Sequence, residues 1–142
     1  MKNVVEVKFK AVPENNAFAR NLVALFIVPL NPSIEELNDI KTAVSEAVSN
    51  VIVHAYPENV GYITMKMSTK QNNLSISITD NGIGITDIDR ALTPFYTTKP
   101  DQERSGMGFT IMRSFMDELE VKNEKGGLTV LMSKQINSAM VV

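Results

Sequence analysis

Between residues 63 and 78, large apolar side chains recur at every second position. Ile63, Met65 and Met67 lead up to Gln71-Asn72-Asn73, and Leu74, Ile76 and Ile78 follow it. Successive strand residues point to opposite sides, so this spacing predicts two strands, each apolar on one face. The amide-rich Gln-Asn-Asn between them is turn-forming, which makes the pair an antiparallel hairpin. A sheet with one apolar face must be covered by a second layer. The same period continues to Asp80. A carboxylate is thereby aimed at the covered side, where burial without partners is costly. Gly82 and Gly84 follow at once. Asp-Asn-Gly after a strand reads either as an ordinary turn or as backbone left bare so that something bulky can approach.

The covering layer is legible elsewhere. Residues 14–28 read as a helix with Phe18, Leu22, Leu25 and Phe26 on its inner face, and Arg20, about 200° from Phe18, is expected to be exposed. Pro29 and Pro32 break that helix, and Ser33 with Glu36 forms a capping box. A second helix is predicted over 34–55, ending before Pro57. Phe109, Met112, Phe115, Met116 and Leu119 mark a third. Val5, Val7 and Phe9 alternate with charged residues in an opening strand, and 121–123 and 128–133 form a closing pair around Gly126-Gly127. The tail SAMVV is expected to fray. Residues 82–106 are irregular, with a short helix near 87–92. So long a loop in so small a domain suggests a functional lid, placed at about 82–108. The order predicts a single α+β domain over 1–142: a two-layer sandwich of a mainly antiparallel, mixed sheet with helices packed on one face.

Composition removes several classes of function. The net charge is -2 with no long basic run, which disfavours a direct electrostatic grip on nucleic acid. The chain has no cysteine and one histidine, so thiolate metal sites, disulfides and multi-histidine zinc sites are excluded. Cysteine-free composition fits a reducing cytoplasm. The N-terminal MKNVVEVKFKAV alternates and is charged, unlike a signal peptide. No apolar run approaches the ~20 residues of a membrane span. The eight methionines fall mostly at core periods and read as packing.

Two further patterns carry chemistry. In SEAVSNVIVHAY, Glu46, Asn50 and His54 stand four residues apart and form one polar stripe on an otherwise apolar helix. Such a stripe is a solvated seam or the lining of a site. Its oxygen atoms could hold Mg²⁺ and position a base; His54 is expected to be a hydrogen-bonded histidine at the core edge. In ERSGMGFTIM, Arg104, Gly106 and Gly108 precede the third helix. This is either a plain loop–helix junction or a phosphate cradle, since a helix N-terminus offers free N–H groups and a positive dipole end.

Together these elements resemble the GHKL (Bergerat) ATP-binding fold shared by gyrase, MutL and histidine kinases. Glu46-x-x-x-Asn50 matches its first box, Asp80-x-Gly82-x-Gly84 its second and Gly106-x-Gly108 its third. Thr129 in GGLTV matches its late threonine near the adenine, although some relatives carry a second threonine where this chain has Leu128. The resemblance implies ATP and Mg²⁺ as cofactors. It makes Asn50 the Mg²⁺ ligand, Glu46 the general base, Asp80 the adenine contact and Arg104 a γ-phosphate ligand. Gly82, Gly84, Lys99, Ser105, Gly106, Met107, Gly108 and Thr129 would line the nucleotide.

Within the fold, FYTTKP followed by ERSGMGFTIM is similar to the small bacterial anti-sigma factor serine kinases, and most of all to those of spore formers. This implies a cytoplasmic homodimer that binds a sigma factor of RNA polymerase. It also implies phosphorylation of a serine on an anti-anti-sigma protein, with Arg20 near the partner surface. Three alternatives stay open: a general-stress sister kinase, a binding module that uses ATP only as a switch, and a stand-alone histidine-kinase catalytic domain.

Overall fold

A computed structural model describes residues 2–56, 59–84, 88, 92, 107–124 and 127–137. Five strands form one sheet: β1 (Lys2–Lys10), β2 (Tyr62–Lys70), β3 (Asn73–Asp80), β4 (Glu118–Glu124) and β5 (Gly127–Gln135). Their order is β1-β2-β3-β5-β4, and every pairing is antiparallel. The expected mixed character is therefore absent among the described strands. The β2–β3 hairpin turns through Gln71, whose φ of 50–60° (56°) lies in the left-handed region.

Register gathers the apolar set on one face. Phe9 pairs with Ile63, Met65 with Ile78, Met67 with Ile76, Ile78 with Val130 and Ile76 with Met132. These eight side-chain positions are buried, and three helices cover them. They are α1 (Glu14–Phe26), α2 (Ile34–Asn50) and α3 (Gly108–Phe115), with α1 and α3 both packed on α2. The opposite face carries Lys66, Ser68, Ser75, Ser77, Glu118, Glu120 and Ser133, with Leu131, around a shallow depression. No helix among the described residues is long and apolar enough to cross a membrane.

The capping box at α2 is present: Ser33 Oγ accepts from the Glu36 N–H at 3.0 Å, and Glu36 Oε1 accepts from the Ser33 N–H at 2.9 Å. Other expectations need correction. The first helix stops at Phe26, and a 3₁₀ turn, Val28–Leu30, follows. Its inner face is Ala19 and Val23, with Leu22 and Phe26 half-buried; Phe18 is 47% and Leu25 71% exposed. Small residues let α1 approach α2 closely, which rotates the larger Phe18 and Leu25 outward. Phe18 instead meets the Phe9 ring edge-on, with centroids 5.7 Å apart. The second α-helix ends at Asn50 and continues as a π-helical turn, Val51–Ala55. Leu119 belongs to β4, opposite Met132, because the third helix ends at Phe115. At the expected short helix near 87–92, the Leu92 N–H donates to the Ile88 carbonyl, a helical spacing. The expectation for the tail SAMVV lies outside the described residues.

Truncating Ile76→Ala at the centre of the sheet should cost about 2–5 kcal/mol. Leu25→Ala should stay within about 0.5 kcal/mol, as for exposed positions generally. Urea unfolding of the two variants checks the contrast; equal losses would place Leu25 in the core after all.

Candidate functional site

The site forms where the end of α2 meets the end of β3 and the start of α3. Asp80 closes β3 on its buried face and is 3% exposed. Its Oδ1 accepts from the Gly82 N–H at 2.8 Å and from the Leu128 N–H at 3.4 Å. Both of these bonds end on Oδ1. Burial pushes the carboxyl above its ordinary pKa, and the hydrogen bonds from Gly82 and Leu128 oppose that rise.

The loop after Asp80 is fixed by three consecutive N–H groups. Asn81 N–H donates to the Tyr56 hydroxyl at 2.9 Å, Gly82 N–H to Asp80 and Ile83 N–H to the Ala55 carbonyl at 3.0 Å. Gly82 has to be glycine: a Cβ there would stand 2.1 Å from the Ala55 carbonyl oxygen. Gly84 has φ 71°, a left-handed backbone conformation that demands glycine, and it faces the end of the Asn123 side chain.

Asn50 lies half-buried at the last position of α2. A Cβ on Gly108 would stand 3.1 Å from Asn50 Oδ1, so the first residue of α3 lies directly on that amide. Met107 precedes α3, half-buried, and its carbonyl accepts from Ile111 at 2.8 Å. Glu46 stands one turn before Asn50, half-buried and engaged by a neighbour. His54 is half-buried in the π turn and also engaged by a neighbour. Thus the structure unites Asn50 with Gly108, and Asp80 with Gly82 and the end of α2. Lys99, Arg104, Ser105 and Gly106 lie outside the described residues.

Two expectations change. Thr129 pairs with Thr79, and their hydroxyls meet at 3.1 Å. Strand alternation puts this pair on the face opposite Asp80. Leu128, one residue earlier, holds the position against Asp80, so the register sets Thr129 on the other side of the strand from the Asp80 carboxyl. Arg20 is half-buried rather than exposed. It donates to Asn16 Oδ1 at 3.1 Å, while Asn16 Nδ2 reaches Ser49 Oγ at 2.9 Å and the Ser45 carbonyl at 3.2 Å on α2. Sequence reading missed Tyr56, Gly61 and the Ala55 carbonyl. A tyrosine just past a helix end carries no local signal for such a contact.

A nucleotide fits these residues. The glycines at 82 and 108 leave bare backbone beside Asp80 and Asn50, next to a buried carboxylate whose backbone bonds fall on Oδ1. Among the described residues no group of three or more His, Asp or Glu side chains could hold a metal.

A family model described as a histidine kinase-like ATPase domain matches residues 9–134. The anti-sigma F factor of Caldanaerobacter subterraneus subsp. tengcongensis is 49% identical over 135 residues, covering 94% of each chain. That of Clostridium acetobutylicum is 48% identical over 136 residues, covering 95% of each. This chain belongs to the anti-sigma F factor family of histidine kinase-like ATPase domains. The solved RsbU and RsbW domains of a Mycobacterium tuberculosis protein superpose with a TM-score of 0.70 at 17% identity, over 94% of this chain and 32% of that one. The catalytic domain of histidine kinase ThkA gives 0.59 at 19% identity, over 93% and 97%. These two likenesses establish the family fold: one antiparallel sheet with its helices on one side.

The raised Asp80 carboxyl has a consequence for stability. The folded chain holds this proton more tightly than the unfolded chain does. Its contribution therefore makes stability fall as pH rises from the ordinary carboxylate range through the raised value, and levels off above it. Asp80→Asn keeps an oxygen for Gly82 and Leu128 and removes the buried charge. Without nucleotide, the variant should be more stable than the wild type at pH 7, with the gap closing on acidification. Urea unfolding from pH 4 to 8 measures it; a less stable variant at pH 7 would contradict the burial argument.

Proposed function

We propose that the protein is an ATP-dependent protein-serine kinase and anti-sigma factor. It binds a sporulation sigma factor of RNA polymerase and phosphorylates a serine of an anti-anti-sigma protein, acting as a cytoplasmic homodimer. The observation that carries this reading is the 49% identity, over 94% of both chains, to a relative named anti-sigma F factor. It favours the anti-sigma reading over a stand-alone histidine-kinase catalytic domain.

Each side chain is assigned the chemistry that its type and the family resemblance support. Asp80 Oδ2 accepts from the amino group of adenine. Asn50, neutral and at the end of α2, would hold Mg²⁺, which supplies neutralisation of the phosphate charge when bound. Gly108 brings the N–H groups of α3 toward the phosphates. Glu46, one turn before Asn50, accepts the proton of the target serine. The serine oxygen then bonds to the γ-phosphorus, the bond to the bridging oxygen breaks, and ADP leaves. Arg104, outside the described residues, is assigned to the γ-phosphate charge, and Lys99 and Ser105 are assigned to nucleotide binding on the family resemblance alone. Arg20 is assigned to the partner surface; its bond to Asn16 would hold its direction.

Glu46→Gln keeps shape and removes the base. Labelled ATP, the variant and the anti-anti-sigma protein should give a phosphorylation rate reduced about 10²–10⁴-fold, while sigma-factor binding stays near wild type. A rate near wild type would remove Glu46 as base. Asp80→Asn should lower ATP affinity by about 5- to 150-fold in titration calorimetry, the effect of a lost buried polar contact. Unchanged affinity would remove Asp80 from the base pocket.

A further inference from the structure

Tyr56 stands at the junction of three segments. It is the first residue past the π turn that ends the Glu46–Asn50 helix. Its ring packs at the edge of the core. Its hydroxyl donates to the Tyr62 carbonyl at 2.7 Å, at the start of β2, and accepts from the Asn81 N–H at 2.9 Å, just past β3. One oxygen thus closes a bridge between the strand that enters the hairpin and the loop that leaves it. The ring lies against Gly61, where a Cβ would stand 2.1 Å from Cε1 and Cζ. Only glycine admits the ring in this position.

We propose that Tyr56 is a positioning residue that sets the direction of the Asp80 carboxylate. The proposal rests on the nucleotide reading above. Asn81 is the residue next to Asp80, and Gly82 N–H holds Asp80 Oδ1. With Ile83 bound to the Ala55 carbonyl, the end of α2 grips the loop on both sides of Gly82. The carboxylate oxygen offered to the base is therefore aimed by the same helix that carries Asn50. Base recognition and phosphate chemistry are thereby tied through one hydroxyl to the segment that continues α2. The Asn81 and Tyr62 bonds lie at the solvent edge. Water can satisfy both groups if the hydroxyl goes, so its loss costs direction more than stability.

Tyr56→Phe keeps the ring and removes the hydroxyl; Gly61→Ala evicts the ring. Each is compared with wild type in three measurements: thermal unfolding, amide exchange of residues 81–83, and affinity for ATP and for inosine triphosphate. Inosine offers a carbonyl where adenine offers an amino group, so a well-aimed carboxylate discriminates between them. Tyr56→Phe should unfold close to wild type, exchange the Asn81 amide faster, and shrink the ATP-over-inosine preference by about 2- to 12-fold, the worth of one hydrogen bond. Gly61→Ala should shift exchange and preference the same way. A role in folding alone would lower both affinities equally and leave their ratio intact, which would overturn the proposal, as would wild-type exchange at Asn81. If the wild type itself does not discriminate, the adenine reading of Asp80 fails. In that case the exchange measurement still decides separately whether Tyr56 holds the loop.

Discussion

Everything in this fold depends on how closely α2 lies on the sheet. Its inward positions are Ile40, Ala43, Val44, Ala47 and Val48, continued by Val51 and Ala55 in the π turn, and all are buried. Alanine and valine keep the helix axis near the strands, and they leave room for α1 on one flank and α3 on the other. Burying such side chains gives the layer its cohesion, at roughly 25 cal/mol per Å² of apolar surface. A larger residue at Ala43 or Ala47 would lift the helix and separate its end from β3, and the site would lose its geometry before the fold was lost.

The site follows from that closeness. Because α2 ends beside β3, the Ala55 carbonyl can take the Ile83 N–H, and Gly82 must lack a side chain. Because α3 starts beside α2, Gly108 lies on the Asn50 amide. The Ala55 carbonyl of the π turn thus demands glycine at 82, and glycine at 108 lets α3 start close to the Asn50 amide. The π turn sits in this region, where irregular helix is frequent at functional positions because it redirects side chains and carbonyls.

Asp80 shows how function and stability pull apart. A carboxylate 3% exposed, held by two backbone N–H groups, is less stable charged than in water. The fold tolerates it because the surrounding core is well packed and no buried side-chain N or O atom among the described residues lacks a partner. Such a group is the kind expected where binding needs a fixed acceptor rather than a solvated one.

Several features were determined by the sequence alone. The alternation from Ile63 to Ile78 dictated the hairpin and carried Asp80 to the buried face, because strand geometry has a period of two with no freedom to slip. Ser33 and Glu36 announced the start of α2, since capping is a local interaction within three residues. The spacing of Glu46 and Asn50 placed both on one helical stripe for the same local reason. Tertiary structure decided the rest. Phe18 and Leu25 were apolar and well spaced, yet the contact of α1 with α2 was taken by Ala19 and Val23. Thr129 looked suited to the site, yet its register with Thr79 turned it to the opposite face and left Leu128 beside Asp80. Tyr56 and Gly61 gave no signal, because a ring lying on a glycine and bonding a backbone 25 residues away exists only once α2, β2 and β3 have come together. Local periodicity is written residue by residue; which of two apolar faces is covered, and by what, depends on the shape of the partner surface.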